Sequence, residues 1–62
     1  MDNADLEVEA EQLRQVALEA ERQGTKNDNL AENLIAMAAR LTDAGMLLAA
    51  RQFENFAGEI AS

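Results

Sequence analysis

Carboxylates are the most abundant groups in this sequence that can do chemistry, with twelve Asp and Glu among 62 residues. Paired carboxylates act as general acid and base only where a desolvated cleft shifts a pKa, and a chain this short has little room for one. Histidine, cysteine, tyrosine and tryptophan are all absent. The hydroxyls of Thr25, Thr42 and Ser62 have no neighbouring base that would make them nucleophiles. We therefore predict that the protein is not an enzyme.

Sites for metals and cofactors are equally sparse in the sequence. The segment NDNLAE, residues 27–32, offers oxygen ligands without the spacing of a calcium loop, so a helix cap is the better interpretation. Without histidine or cysteine, a structural zinc site is excluded. Gly24, Gly45 and Gly58 are too scattered to form a loop that cradles phosphate. We expect no metal and no cofactor.

The charge of the chain is strongly negative and uneven. The net charge is −7, of which residues 1–23 carry −5 and residues 24–62 carry −2. Such a chain is repelled by phosphate and by anionic lipid, which disfavours binding to nucleic acid or to a membrane. No apolar run is long enough for a transmembrane helix, and the acidic start lacks the basic region of a signal peptide. We expect a cytoplasmic protein.

The composition predicts an all-α protein with a single small domain, residues 1–62. Thirteen of thirty apolar residues are alanine, proline is absent, and residues that favour strands are few. A first helix is predicted at about residues 4–23, with Asp2 or Asn3 as its N-cap. Its apolar residues fall within one arc at the helical repeat: Leu6, Ala10, Leu13, Val16, Ala17 and Ala20.

The segment from Gly24 to Asn29 is the clearest interruption of the helical pattern. Gly24 can adopt the left-handed conformation that ends a helix. Asn27, Asp28 and Asn29 are candidate N-caps of the next helix, and Asn29 with Glu32 has the spacing of a capping box. Because so short a connection joins antiparallel neighbours, the sequence predicts a helical hairpin.

The second arm of this hairpin carries two apolar arcs that differ in direction by roughly 110°. One arc contains Leu30, Leu34, Met37, Leu41 and Leu48, and the other contains Met46, Ala49, Phe53, Phe56 and Ile60. A kink or split near residues 42–45 would turn both arcs toward one core, giving helices at about 28–41 and 43–60. Thr42 or Asp43 can cap the later helix, and Gly45 weakens a helix interior. Without a break, one long helix would present two seams to two partners.

The small size of the domain predicts self-association. A chain of about 60 residues buries only about 60% of its unfolded surface, and neither a disulfide nor a zinc ion can reinforce this one. We therefore expect a homodimeric helix bundle. The apolar stripe of Met46, Phe53, Phe56 and Ile60 is the candidate seam; a partner-binding anchor and the monomer's own core are the alternatives.

Arg40 and Arg51 allow two interpretations. Arg40 and Arg51, eleven residues apart, would share a face of a continuous helix and form a small basic spot for an anion. The favoured alternative is a solvated face on which these arginines pair with Asp43 and Glu54.

The acidic first helix carries the leading hypothesis for function. Its predicted acidic face could bind a protein with a basic surface, or could simply be solvated; its residues are Asp2, Asp5, Glu7 and Glu11. The protein would then be an adaptor, regulator or inhibitor that occupies a surface of another protein. Rows of carboxylates on a rigid helix can mimic nucleic acid. By analogy, small inhibitors carried by phages and plasmids, including inhibitors of restriction or CRISPR complexes, often have this character.

Two alternatives to that hypothesis remain open. In length and net acidity the chain also resembles small plasmid-borne helical hairpins that dimerise and bind RNA. That function requires a local basic stripe, which only five residues could supply: Arg14, Arg22, Lys26, Arg40 and Arg51. The other alternative is a purely structural oligomerisation module.

Overall fold

The computed structural model describes residues 3–62, which form three α-helices and, within that range, no strand. They are α1 (Asn3–Gln23), α2 (Asp28–Asp43) and α3 (Leu47–Ile60). The all-α prediction is therefore confirmed, with three helices. Met1 and Asp2 lie outside the described residues, and so does the expected capping role of Asp2.

The end of α1 is set by Gly24, whose φ of +70° lies in the left-handed region. The Gly24 N–H donates to the Glu21 carbonyl at 3.1 Å, and the Thr25 N–H donates to the Ala20 carbonyl at 2.9 Å. This pair of bonds is the Schellman motif, which satisfies the last carbonyls of a helix and turns the chain away.

The start of α2 is capped by Asn27. Its extended backbone, with φ −153° and ψ 102°, lets its side-chain oxygen accept a hydrogen bond from the Leu30 N–H at 3.1 Å. Asn27 is one of the three N-caps expected from the sequence, and it has the extended backbone that an N-cap requires. The expected pairing of Asn29 with Glu32 does not cap the helix, because Asn29 already lies inside the first turn.

The connection between α2 and α3 repeats the motif that ends α1. Gly45 has a φ of +80°; its N–H donates to the Thr42 carbonyl at 3.0 Å, and the Met46 N–H donates to the Leu41 carbonyl at 2.8 Å. Gly45 therefore ends α2 in the left-handed conformation. This role is more specific than the weakening of a helix interior that was expected from the sequence.

The N-cap of α3 differs from the expected Thr42 or Asp43. Both residues belong to the last turn of α2, and the Thr42 hydroxyl donates to the Ala38 carbonyl of its own helix at 2.9 Å. The N-cap position is taken by Met46, which forms no side-chain capping bond. The left-handed turn at Gly45 separates Thr42 and Asp43 from the start of α3, so neither can cap it.

The core lies mainly between α2 and α3, which pack against each other far more extensively than either packs against α1. The largest fully buried side chains are Leu34 and Leu41 from α2 and Phe53 and Ile60 from α3. From α1 only the small residues Ala10 and Ala17 are buried. Among the described residues the core contains no polar or charged side chain.

A set of hydrogen bonds, here called the clasp, ties the end of α3 to the connection between α1 and α2. The Lys26 Nζ donates to the Glu59 carbonyl at 2.6 Å, and the Asn27 N–H donates to the Ile60 carbonyl at 2.8 Å. Ser62 donates to the Asp28 carboxylate from its N–H at 2.9 Å and from its hydroxyl at 2.8 Å. The clasp thus satisfies two of the carbonyls that the end of a helix leaves open, those of Glu59 and Ile60.

Candidate protein-binding surface

The acidic residues of α1 are exposed but do not share one face. Glu7 and Glu11 lie one helical turn apart, whereas Asp5 lies roughly 160° around the helix from Glu7 at the helical repeat. Glu9 lies on the same side as Asp5 and reaches α2. The fourth residue of the predicted acidic face, Asp2, lies outside the described residues.

Glu11 is the most strongly engaged carboxylate of α1. It accepts hydrogen bonds from Arg14 Nε at 3.1 Å and Nη2 at 2.9 Å, and from Gln15 Nε2 at 2.7 Å. The hydrogen bonds from Arg14, followed by the one from Gln15, lower the pKa of Glu11. The same pairing raises the pKa of Arg14. The ionised form of Glu11 is therefore favoured, and it is paired with Arg14 at the surface.

Two further carboxylates of α1 are also paired with arginine. Glu9 Oε2 lies 2.7 Å from Arg40 Nη1 of α2, which makes this the ion pair that joins two helices. Glu19 pairs with Arg22 within α1 and also accepts a hydrogen bond from Gln23 Nε2 at 2.8 Å.

The other three carboxylates of α1 are unpaired. Among the described residues Asp5, Glu7 and Glu21 form no ion pair, and all three are exposed. The unpaired carboxylates of α1 therefore do not form one row: Glu7 lies beside Glu11, whereas Asp5 lies roughly 160° away around the helix.

The arginines of α2 and α3 do not form the pairs expected from the sequence. Arg40 reaches across to Glu9 on α1 instead of Asp43, because the antiparallel packing of α1 brings that carboxylate to it. Arg51 is exposed and, within the part of the chain that the structure describes, forms no ion pair with Glu54. Arg40 and Arg51 lie on different helices, so they do not form the shared face of a continuous helix.

The predicted apolar stripe lies in the interior of the monomer. Phe53 and Ile60 are 2% and 0% exposed, and the half-buried Met46 and Phe56 pack against the same core. The rings of Phe53 and Phe56 meet edge to face, with their centroids 6.3 Å apart. Of the three roles considered for this stripe, the structure shows the core.

Several large apolar side chains remain exposed, and two of them were expected on buried stripes. Val16 is 53% exposed and Leu48 is 82% exposed. Leu48 leaves the core because the left-handed turn at Gly45 changes the phase of the helix that follows it. The other exposed residues of this kind are Val8, Leu18, Ile35 and Leu47.

A shallow, open groove runs along the surface between α1 and α2, the two helices that pack against each other least. It consists of two open cavities of about 450 and 470 Å³ that share Val16. We call it the α1–α2 groove. It was not foreseen from the sequence, since the burial pattern of a helix does not reveal how closely two helices approach. The main apolar residues along it are Leu13, Val16, Ala20, Leu30, Ala36 and Met37.

Comparison of the chain with protein-family models, curated proteins and solved structures finds no match in any of the three. Within residues 3–62 no three acidic side chains lie close enough together to hold a metal ion. None of the three helices is both long and apolar enough to cross a membrane. The geometry of the exposed surface is therefore the basis for a functional proposal.

Proposed function

We propose that the protein is a non-catalytic interaction protein that binds a basic surface of another protein through the exposed acids of α1. The observation that carries this proposal is the set of unpaired, exposed carboxylates on α1: Asp5, Glu7 and Glu21. Charges without an ion-pair partner are not offset by a neighbouring cation, so they can steer a partner of opposite charge.

The rigid helical placement of these carboxylates favours a partner that normally binds nucleic acid. Carboxylates fixed on a rigid helix can present negative charge as phosphates do, and they can compete for a channel lined by Lys and Arg. We propose that the protein acts in the cytoplasm as an inhibitor or regulator of such a partner.

The arrangement of the cations supports a protein partner over RNA. Three of the five cationic residues, Arg14, Arg22 and Arg40, are paired with carboxylates. Lys26 is engaged in the clasp. Only Arg51 remains without an ion pair or hydrogen bond among the described side chains, and RNA binding needs a continuous basic stripe.

The test is a pair of double variants that remove the same charge from different places. Asp5→Asn with Glu7→Gln removes two free charges from α1, and Glu32→Gln with Glu54→Gln removes two exposed charges from α2 and α3. Partners captured from a host lysate at low salt would be identified by mass spectrometry, and their association with purified protein would be measured at several ionic strengths.

We expect the α1 variant to slow association by about tenfold and to reduce its salt dependence, because charges at the rim of an interface act mainly on the association rate. The control variant should change the rate by much less. Equal effects of the two variants would show that only total charge matters, and unchanged kinetics in both would refute the proposal.

Self-association is the second candidate function, favoured by the exposure of Leu47 and Leu48 at 64% and 82%. With Phe53 and Ile60 inside the monomer, a homodimer would have to use exposed apolar residues such as these. Sedimentation at high micromolar concentration tests this directly. A dimer that dissociates when both leucines are changed to Gln would support a structural module, and a monomeric wild type would refute it.

A further inference from the structure

Helix α1 is held against the rest of the molecule mainly by small side chains. Its buried residues are Ala10 and Ala17, whose side chains are single methyl groups. Leu6 and Leu13 pack against the core but remain half-buried. Because the free energy of burial scales with apolar area, docking gains little for a helix of 21 residues.

Helix α1 also has hydrogen bonds of its own that need no other part of the molecule. Glu11 and Glu19 each accept hydrogen bonds from an arginine three residues later and from a glutamine four residues later. Pairs at these spacings stabilise isolated helices. Isolated helices are marginal below about 12–15 residues, and α1 is longer than that. It can therefore remain partly helical away from the core.

The connection that follows α1 has the features of a hinge. Gly24 and Thr25 are exposed, and nothing lies within 4 Å of a Cβ added to Gly24. Directly after them, the clasp fixes Lys26 and Asn27 to the end of α3. Hinges are a few residues at the end of an element that absorb a change in φ and ψ. Rotation at Gly24 and Thr25 would move α1 while the clasp keeps α2 and α3 together.

The ion pair between Glu9 and Arg40 joins α1 directly to α2. Glu9 Oε2 lies 2.7 Å from Arg40 Nη1, and the two side chains are 53% and 51% exposed. Exposed ion pairs contribute little to stability and are screened by salt. This ion pair therefore holds α1 only weakly.

We propose that α1 opens from the α2–α3 pair as one unit, by rotation at Gly24 and Thr25 and release of Glu9 from Arg40. Proteins open in cooperative segments whose free energies range from near zero to that of global unfolding. The open state adds Glu9 to the unpaired carboxylates of α1, so a cationic ligand that binds it better would increase its population. The inference concerns the chain alone and does not rest on the proposed function.

The chain contains no cysteine, so a single introduced thiol can report the opening of each helix. Ala17→Cys places the thiol on α1, and Ala38→Cys and Ala57→Cys place it on α2 and α3. All three alanines are buried, with 0%, 4% and 4% exposure. The rate of labelling by a disulfide reagent gives the opening constant at each site. Urea unfolding of the same variant gives its global unfolding constant, which corrects each variant for its own loss of stability.

We expect the opening constant of the Ala17→Cys variant to exceed its global unfolding constant by about tenfold or more. It should also rise less steeply with urea, because opening of α1 exposes less surface than unfolding does. In the Ala38→Cys and Ala57→Cys variants the two constants should agree. Hydrogen exchange of the wild type checks this order without a substitution: amides near Ala17 should be about tenfold less protected than those of Leu34 and Phe53.

A matched pair of substitutions tests the role of the ion pair. Glu9→Gln and Glu7→Gln are each added to the Ala17→Cys variant. Both glutamates are exposed on α1, but Glu9 pairs with Arg40, whereas Glu7 forms no ion pair among the described residues. At low salt, Glu9→Gln should raise the opening constant by about twofold to fivefold, and Glu7→Gln should leave it nearly unchanged. The difference should disappear at high salt.

Several results would overturn the inference. If labelling and exchange near Ala17 both follow global unfolding, α1 does not open separately, and the α2–α3 pair, at below about 40 residues, does not stay folded without it. Fast labelling of the Ala17→Cys variant without weak protection in the wild type would show that the substitution caused the opening. Fast labelling at all three sites would show that the whole molecule opens. Equal effects of Glu9→Gln and Glu7→Gln would refute the role of the ion pair. No partner is used, so these results leave the proposed function to its own test.

Discussion

The α2–α3 pair and α1 are held in the molecule by different kinds of side chain. Between α2 and α3 the buried residues include Leu34, Leu41, Phe53 and Ile60, and the clasp closes the end of the pair. From α1 only Ala10 and Ala17 are buried, although α1 is the longest helix, with 21 residues against 14 in α3. Burial free energy scales with apolar area, so α2 and α3 supply most of the stability.

The two regions differ in what they contribute to the molecule. The α2–α3 pair supplies most of the buried apolar surface, and α1 supplies mainly exposed residues. The buried alanines let α1 lie close to the core, but α1 buries little apolar surface for each of its residues. Six of the twelve acids of the chain lie in α1 and are exposed, and the α1–α2 groove exists because α1 makes few contacts with α2. The region that contributes least to the core therefore exposes most of its side chains to solvent.

The largest expected effect is on the free energy of unfolding, and it is tested at one apolar residue from each region. Phe53→Ala should cost about 3–5 kcal/mol because it leaves a cavity in the tightly packed pair, and a domain this small should then be largely unfolded. Leu13→Ala on α1 should cost only about 1 kcal/mol because Leu13 is half-buried. Urea unfolding followed by circular dichroism measures both. Similar losses of unfolding free energy in the two variants would show that α1 is packed as tightly as α3.

A second comparison concerns two glycines of the α2–α3 pair, one in the turn between the helices and one inside α3. Gly45→Ala should destabilise the protein by about 1 kcal/mol, because φ is +80° there and an L-residue is strained in that region. Gly58→Ala, inside α3 with nothing within 4 Å of an added Cβ, should stabilise it by about 0.5–1 kcal/mol. The shift in the urea midpoint checks the sign of each. A neutral Gly45→Ala would mean that the turn between α2 and α3 can adopt another form.

The smallest expected effect is the pH dependence of the clasp. Hydrogen bonds from the Ser62 backbone and side chain lower the pKa of Asp28 from its ordinary value of 3.8. The clasp is therefore fully stabilising above pH 3.8 and weakens as pH falls from there through the lowered pKa. Amide exchange at Ala61 and Ser62, compared with Asp28→Asn, measures this. The wild type should be better protected at neutral pH, and the difference should shrink in acid. A difference that does not depend on pH would show that the carboxylate charge has no role.

The sequence predicted an all-α fold correctly because the signals for helices are local. Gly24 indicated the end of α1, and the two differing apolar arcs indicated a change of direction near Gly45. The predicted cap of α3 at Thr42 or Asp43 was wrong, because the left-handed turn at Gly45 leaves both residues within α2. The acidic face was only partly foreseen, since pairing of Glu9 with Arg40 depends on which helices become neighbours.

The sequence by itself determined that the chain is helical, strongly acidic and poor in catalytic groups, because composition and helical periodicity are properties of the chain alone. Only the tertiary structure decided that Phe53 and Ile60 lie inside the monomer, that Val16 and Leu48 remain exposed, and that a groove separates α1 from α2. The physical reason is that periodicity indicates which face of a helix is apolar. The distance between two helices is set by the side chains of both. Here the large side chains of α2 and α3 fill most of the core.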